Sequence, residues 1–347
     1  MTPMSRSRVA VWFSSLSARA TRGSGFAARL LYLCVRTVFA SMQVFPINWN
    51  LQTARILARI WAFVLPRHRR RAVEHLEKSL GDVHSRVELE TLADECLESV
   101  TMFAVEAVCL PQVITPYNWS RHIDLVGFEE ALKVMVAGRG AILVTGHYGS
   151  FELVGHLLAT LGFPMAAVMR PLDNPLLNDF IVSARRTHGL RLLDKKGASA
   201  EAETLLKDGY LVGFIGDQNA GSKGLFVDFF GRPASTYKSI GLLAMTAEVP
   251  IIVGYARRKG TRAQYVVGVN RVIRPEEWCA ESDPLRWITQ RYTRAIEDIV
   301  REDPSQYLWI HRRWKSQPPI RRVPSPQPSE PVPPPPVPIP SEAAGKE

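Results

Sequence analysis

The sequence predicts an α/β protein with a central, mostly parallel sheet flanked by helices and an N-terminal helical segment leading into it. Three observations predict this. After about position 117, short apolar runs alternate with helix-like stretches, the pattern of strands joined by helical crossovers. Positions 1–73 hold twelve arginines and no Asp or Glu, whereas the rest of the chain holds 31 basic against 33 acidic side chains. Twelve of the 25 prolines fall between Pro318 and Pro340, so the chain's end cannot build a core. With 347 residues, 46% hydrophobic and 22% charged, the remainder is long and apolar enough for a large folded domain. The cysteines Cys34, Cys96, Cys109 and Cys279 form no CxxC pair. A disulfide scaffold and a zinc ribbon are thereby excluded, and free thiols fit a reducing compartment.

Apolar residues dominate positions 26–46: Leu30, Leu31, Leu33, Val35, Val38, Phe39, Met42 and Phe45. Arg29, Arg36 and Gln43 recur every seven residues, a narrow polar stripe on an otherwise apolar helix. A second helix is expected over 51–65, with Arg55 and Arg59 one turn apart and Trp61 and Phe63 near its end. An acid-free, arginine-bearing segment calls for a polyanionic partner, either nucleic acid or an anionic membrane face. Helices this apolar, with interfacial aromatics, fit a bilayer of anionic lipids and no nucleic acid. The same pattern also fits two amphipathic helices packed on the protein's own body. No apolar run reaches the roughly eighteen residues of a clean span, and 9–13 is too short for the apolar region of a cleaved signal peptide. The expected organisation is therefore a basic membrane-associating segment over 1–73, an α/β domain over 74–316 with a helical lead-in at 74–116, and a Pro-rich tail over 317–347.

From 84 to 110 the pattern is helical, and Pro111 is expected to end it. Strands are expected over 141–145, 165–169, 190–193, 211–215, 225–230, 251–255 and 264–269. Helices are expected over 151–161, 175–188, 198–207, 237–247 and 284–301. An aromatic and basic end piece follows, Tyr307 to Lys315.

Thr145-Gly146-His147-Tyr148-Gly149-Ser150-Phe151-Glu152 follows an apolar strand and opens a helix, at the carboxyl end of the sheet where α/β folds place ligand sites. On one continuous helix His147 and Glu152 would point about 140° apart. If His147 instead sits in the loop and Gly149 makes a tight turn, the carboxylate can return to the imidazole and orient a general base. The same residues also fit a hydrogen-bonded loop histidine, with Ser150 as cap and Glu152 as a first-turn acid complementing the helix dipole. The run from Gly216 to Lys223 is not a P-loop, because it reads G-x4-G-S-K. Neither HExxH nor G-x-S-x-G occurs, which removes the metalloprotease and α/β-hydrolase readings.

H-x4-E is followed by Met169-Arg170-Pro171-Leu172-Asp173-Asn174-Pro175, Gly216-Asp217-Gln218, Val227-Asp228-Phe229-Phe230-Gly231 and Trp309-Ile310-His311-Arg312-Arg313-Trp314-Lys315. In order and spacing these blocks resemble the bacterial lipid A biosynthesis (late) acyltransferases, which are lysophospholipid acyltransferase-like. The resemblance covers about positions 30–316. It implies a catalytic dyad at His147 and Glu152, with the family's functional arginine at Arg185 and its functional aspartate at Asp217. Glu152 stands where the broader glycerolipid acyltransferases usually carry Asp, which favours the lipid A branch. The Pro-rich tail and the less cleanly transmembrane N-terminus depart from the family pattern. Arg170, Arg185, Arg186, Arg191, Lys195 and Lys196 would receive phosphates of a phosphoglycolipid or of a phosphopantetheine arm, or form a solvated face.

The resemblance implies an acyl-thioester donor, acyl carrier protein or coenzyme A, and a hydroxyl acceptor on a lipid A precursor or related glycolipid. The reaction would need no cofactor and no metal, and would run at the cytoplasmic side of the inner membrane. Backbone amides within 146–149 are the candidate oxyanion donors. Other acceptors, such as a phosphoinositol mannoside, an ornithine-type lipid or a lysophospholipid, use the same dyad. An inactive membrane scaffold is the non-enzymatic alternative.

Overall fold

The computed structural model describes residues 25–169, 171–185, 189–194 and 197–319. Arg170, Arg186, Lys195 and Lys196, the first 24 residues and the tail from 320 onward lie outside the described residues, and so do the expectations placed on them.

Four helices lead in: α1 (Phe26–Val44), α2 (Ile47–Val64), α3 (Pro66–Leu80) and α4 (Arg86–Val113). In α4, Ser85 and Glu88 form a reciprocal capping box at the start. The helix continues through Pro111 to Val113, not ending at 110 as the sequence led us to expect. A proline in the last turn sacrifices little of the hydrogen-bond ladder, and Asn118 Nδ2 donates to the Val113 carbonyl (2.9 Å). Helix α3 crosses the boundary expected at 73/74, where its arginines obscure the buried side Ala72, Val73, Leu76 and Leu80. The element order then runs β1 (Ile123–Val126), α5 (Glu129–Val136), β2 (Ala141–Thr145), α6 (Glu152–Thr160), β3 (Met165–Met169), α7 (Pro175–Arg185) and β4 (Arg191–Asp194). It continues with α8 (Ala198–Lys207), β5 (Leu211–Ile215), β6 (Leu225–Phe229), β7 (Arg232–Thr236), α9 (Ser239–Ala247), β8 (Ile251–Arg258), β9 (Tyr265–Ile273) and α10 (Pro284–Glu302).

Seven strands form one sheet in the order β1-β9-β8-β2-β5-β3-β4. Every neighbouring pair is parallel except β8–β9. The sheet is covered on both faces, which is why β2 is buried at every position. Ile142 and Val144 join a core with α3, α9 and α10, while Ala141 and Leu143 join a second core with α4, α5 and α6. Strand β6 does not enter this sheet; it pairs with β7 in a separate antiparallel hairpin. Strands β1 and β7 escaped the sequence pattern because one is a four-residue edge and the other reads Arg-Pro-Ala-Ser-Thr.

The lead-in helices divide their faces sharply. On α2, Leu51, Ala54 and Ala58 are buried, whereas Ile56, Leu57, Ile60, Phe63 and Val64 stand in solvent, Phe63 at 80%. On α1, Phe26, Leu30 and Leu33 are likewise exposed, and the helix rests on α7 through Phe39 against Phe180 (5.4 Å). Part of the arginine charge is neutralised within the fold. Arg55 and Arg59 pair with Glu98 of α4, and Arg69 with Asp94. Among the described residues one helix, α4, is long and apolar enough to cross a membrane, but more than half of that stretch is buried in the protein.

Candidate active site

Strands β2 and β5 are adjacent and parallel, with Thr145 opposite Ile215. His147 and Asp217 each stand two residues beyond those partners, so the register delivers them to the same level at the sheet's carboxyl end. His147 Nδ1 lies 2.7 Å from Asp217 Oδ1, and the His147 backbone N–H donates to Asp217 Oδ2 at 2.8 Å. One carboxylate thereby fixes both the ring and the chain that carries it. Glycine is needed at 146 because a Cβ there would press on Ile296 (2.9 Å) beside Asp217 Oδ2. At 149 the chain turns with φ +55°, and a Cβ would meet the Ala256 carbonyl oxygen at 2.2 Å.

Asp217 is 3% exposed and His147 partly buried. Burial opposes charge on Asp217, but the His147 ring, its two hydrogen bonds and Arg313 hold the carboxyl well below its ordinary range. Burial would lower the imidazole of His147; the charge and hydrogen bond of Asp217, with a smaller pull from Glu152, instead raise it above an ordinary histidine. With the proton of Nδ1 committed to Asp217, the lone pair sits on Nε2. That atom faces Gln218 Nε2 at 3.4 Å, and Phe151 closes the ring edge-on at 5.2 Å.

Glu152 takes another partner. Its carboxylate receives a two-pronged guanidinium, Arg185 Nε at 2.9 Å and Arg185 Nη2 alongside. The expectation that Glu152 orients His147 is thus corrected: Asp217 occupies Nδ1. Glu152 opens α6 while Asp217 is carried by the neighbouring strand, so the tight turn at Gly149 is not what supplies the orienting carboxylate. Glu152 and Arg185 are about three-quarters covered, and Glu152 remains near enough to act on His147 by charge.

The end piece closes the site. The Leu308 N–H donates to the His147 carbonyl (3.0 Å), Trp309 is fully buried, and Trp314 stacks on Phe229. Arg313, 1% exposed, donates to the carbonyls of Gln218 (3.1 Å) and Ser235 and to Thr236 Oγ1. His311 lies parallel to His147 with ring centroids 6.2 Å apart. Of the expected site residues, then, His147, Glu152, Arg185 and Asp217 converge, and Arg170 is outside the described residues. Arg191 is half exposed and pairs with Glu201 (2.9 Å). The sequence did not mark Gln218 or His311 as neighbours of His147. Their signal was position alone, directly after a strand-end aspartate and within the end piece.

The family model described as bacterial lipid A biosynthesis acyltransferase matches residues 26–316. The chain is similar to a lipid A biosynthesis acyltransferase 2 of Shigella flexneri, 25% identical over 83% of this chain and 91% of that protein. It is also similar to two proteins of Escherichia coli (strain K12). One is a lipid A biosynthesis lauroyltransferase, 24% identical over 71% of this chain and 82% of that protein. The other is a lipid A biosynthesis palmitoleoyltransferase, 28% identical over 68% and 75%. The match spans all four lead-in helices, the sheet and the end piece, and takes in every residue of the site just described. The chain belongs to the bacterial lipid A biosynthesis acyltransferase family and is an O-acyltransferase.

Proposed function

We propose that this chain transfers a fatty acyl group from an acyl thioester, on acyl carrier protein or coenzyme A, to a hydroxyl of a lipid A precursor or related glycolipid. The observation that carries the reading is the His147–Asp217 pair, a ring whose tautomer and orientation are fixed by a buried carboxylate. In the reaction, His147 Nε2 takes the acceptor's hydroxyl proton as the oxygen attacks the thioester carbon. Asp217 stabilises the imidazolium so formed. The C–O bond forms, the C–S bond breaks, and His147 returns the proton to the departing thiolate. No acyl-enzyme and no metal enters these steps. Arg185, held by Glu152, presents a guanidinium edge to an anionic part of a substrate, and Arg170 is proposed as a second substrate-binding arginine.

The apolar outer faces of α1 and α2 are proposed to lie in the cytoplasmic leaflet of the inner membrane, among anionic lipids. That arrangement would bring a lipid acceptor to the enzyme without a transmembrane span. The test is acyl transfer by purified His147→Ala. A folded variant should lose roughly 10²-fold or more, the usual contribution of a positioned base, and near-normal turnover would sink the mechanism. The lipid profile of a deletion strain identifies the acceptor.

A further inference from the structure

Attack on a thioester places negative charge on the carbonyl oxygen, which needs hydrogen-bond donors not already engaged. The backbone amides that the sequence suggested are largely engaged. The N–H of His147 goes to Asp217 Oδ2 (2.8 Å), that of Tyr148 to the Gly146 carbonyl (2.8 Å) and that of Gly149 to the Gln306 carbonyl (3.0 Å). Ser150 donates to Ala256 (2.9 Å). Three of the four amides in 146–149, and the next one, are therefore used to build the loop.

Two side chains beside the base remain. Gln218 Nε2 stands 3.4 Å from His147 Nε2. A carboxamide nitrogen carries two N–H bonds, and this contact uses at most one. When an acceptor hydroxyl takes its place on Nε2, the carboxamide lies next to the attacking oxygen. His311 lies parallel to His147 (21° between planes), and its Nε2 accepts from the Asn219 N–H at 3.4 Å. That leaves its proton on Nδ1 as a donor. Burial, helped by the positive charge of His147 and Arg313 and opposed by Asp217, keeps this ring below the usual histidine range, so it serves as a neutral donor. One three-residue stretch thus touches both imidazoles: Asp217 and Gln218 meet His147, and Asn219 meets His311. Arg313 locks that stretch through the Gln218 carbonyl.

We propose that Gln218 and His311 are catalytic residues that together bind the oxyanion of the tetrahedral intermediate, in place of a backbone oxyanion hole. The inference rests on the acyl-transfer reading above. The proton balance is unchanged: both side chains only donate hydrogen bonds, while His147 moves the hydroxyl proton to the leaving sulfur.

The test uses purified full-length chain with dodecanoyl-coenzyme A, following both transfer to a lipid A precursor and hydrolysis by water. Gln218→Leu and His311→Leu should each lower kcat in both reactions by about 10²–10³-fold. KM should change little, because the interaction exists only in the transition state. Gln218→Glu, the same size without the donor when ionised, should match Gln218→Leu, while His311→Gln, which keeps a donor, should recover part of the rate. Folding is checked by near-ultraviolet circular dichroism and melting temperature. Folded leucine variants with near-normal kcat, or a defect confined to KM, overturn the proposal. Wild type that hydrolyses the thioester but does not acylate the lipid overturns the acceptor reading alone, and the variants' hydrolysis rates then decide the oxyanion proposal. Wild type that does neither, with dodecanoyl-coenzyme A or with dodecanoyl-acyl carrier protein, overturns both.

Discussion

The carboxyl end of the sheet and the outer face of α1 and α2 invert the ordinary distribution of residues in opposite ways. At the first, Asp217 and Arg313 are 3% and 1% exposed, and each is tied down by hydrogen bonds. At the second, Phe26, Leu57, Ile60 and Phe63 are more than half exposed, with no described residue of this chain covering them. Burying charge is costly unless it is paired, and leaving large apolar area in water is costly unless something else covers it. The cost has a local cause in each case. On the proposed function, polar groups are sunk where a proton would be directed, and apolar groups are displayed where a second apolar phase would be met.

The largest expected effect breaks the first of these regions. Asp217→Asn keeps the shape but removes the charge that fixes the His147 tautomer, and should lower kcat/KM by about 10²–10⁴-fold. Its pH profile separates this from a merely structural loss. As the proposed base, His147 would act unprotonated, and Asp217 raises its pKa, so wild-type kcat/KM should climb with pH through a value above the ordinary histidine range. Without that charge, burial dominates and lowers the pKa, so the rising limb should move to lower pH even as the plateau falls. A limb that stays in place would show that Asp217 does not act on His147.

A smaller loss is expected from Glu152→Gln. The charge-assisted hydrogen bonds to Arg185 are worth about 1.5–3 kcal/mol, roughly 10- to 100-fold in rate if they act mainly in the transition state. Arg185→Gln should then reproduce the defect, and the double variant should be no worse than either single one. Additive losses would mean that Glu152 serves His147 independently of Arg185. Because the pair is about a quarter exposed, the melting temperature should move little.

Most of the central sheet was legible because β2, β3, β5 and the start of β8 are short apolar runs between helical stretches. His147, Glu152, Arg185 and Asp217 were legible too, yet their pairing was not. His147 and Glu152 are five apart, so sequence proximity suggested that they meet. His147 and Asp217 are seventy apart, and they meet because β5 inserts between β2 and β3. Nothing in the local text of either strand states that order. It follows from how both faces of the sheet are covered, which is a property of the whole chain. Gln218 and His311 were missed for the same reason, being brought in by two segments that only the tertiary fold joins.

The outermost face offers the smallest expected effect on catalysis and the cleanest test of the inversion. Ile56, Leu57, Ile60 and Phe63 share the exposed side of α2, while Leu51, Ala54 and Ala58 hold the helix to the protein from the other side. Changing Leu57, Ile60 and Phe63 to Gln touches no internal contact of the core. Melting temperature should therefore stay within a degree or two, as for surface substitutions of about 0.5 kcal/mol or less. Turnover on a detergent-dispersed acceptor should also be nearly unchanged. Partitioning should change greatly, since each large apolar side chain moved from water into hydrocarbon contributes about 1.5–3 kcal/mol. Wild type should sediment with membranes and resist extraction by high salt, because Arg55, Arg59 and Arg69 are already paired within the fold and screening acts only on charge. The triple variant should move to the soluble fraction. If salt alone released wild type, attachment would be electrostatic. If the triple variant instead unfolded, the face would be a hidden part of the core, and the contrast with the sheet's carboxyl end would fail.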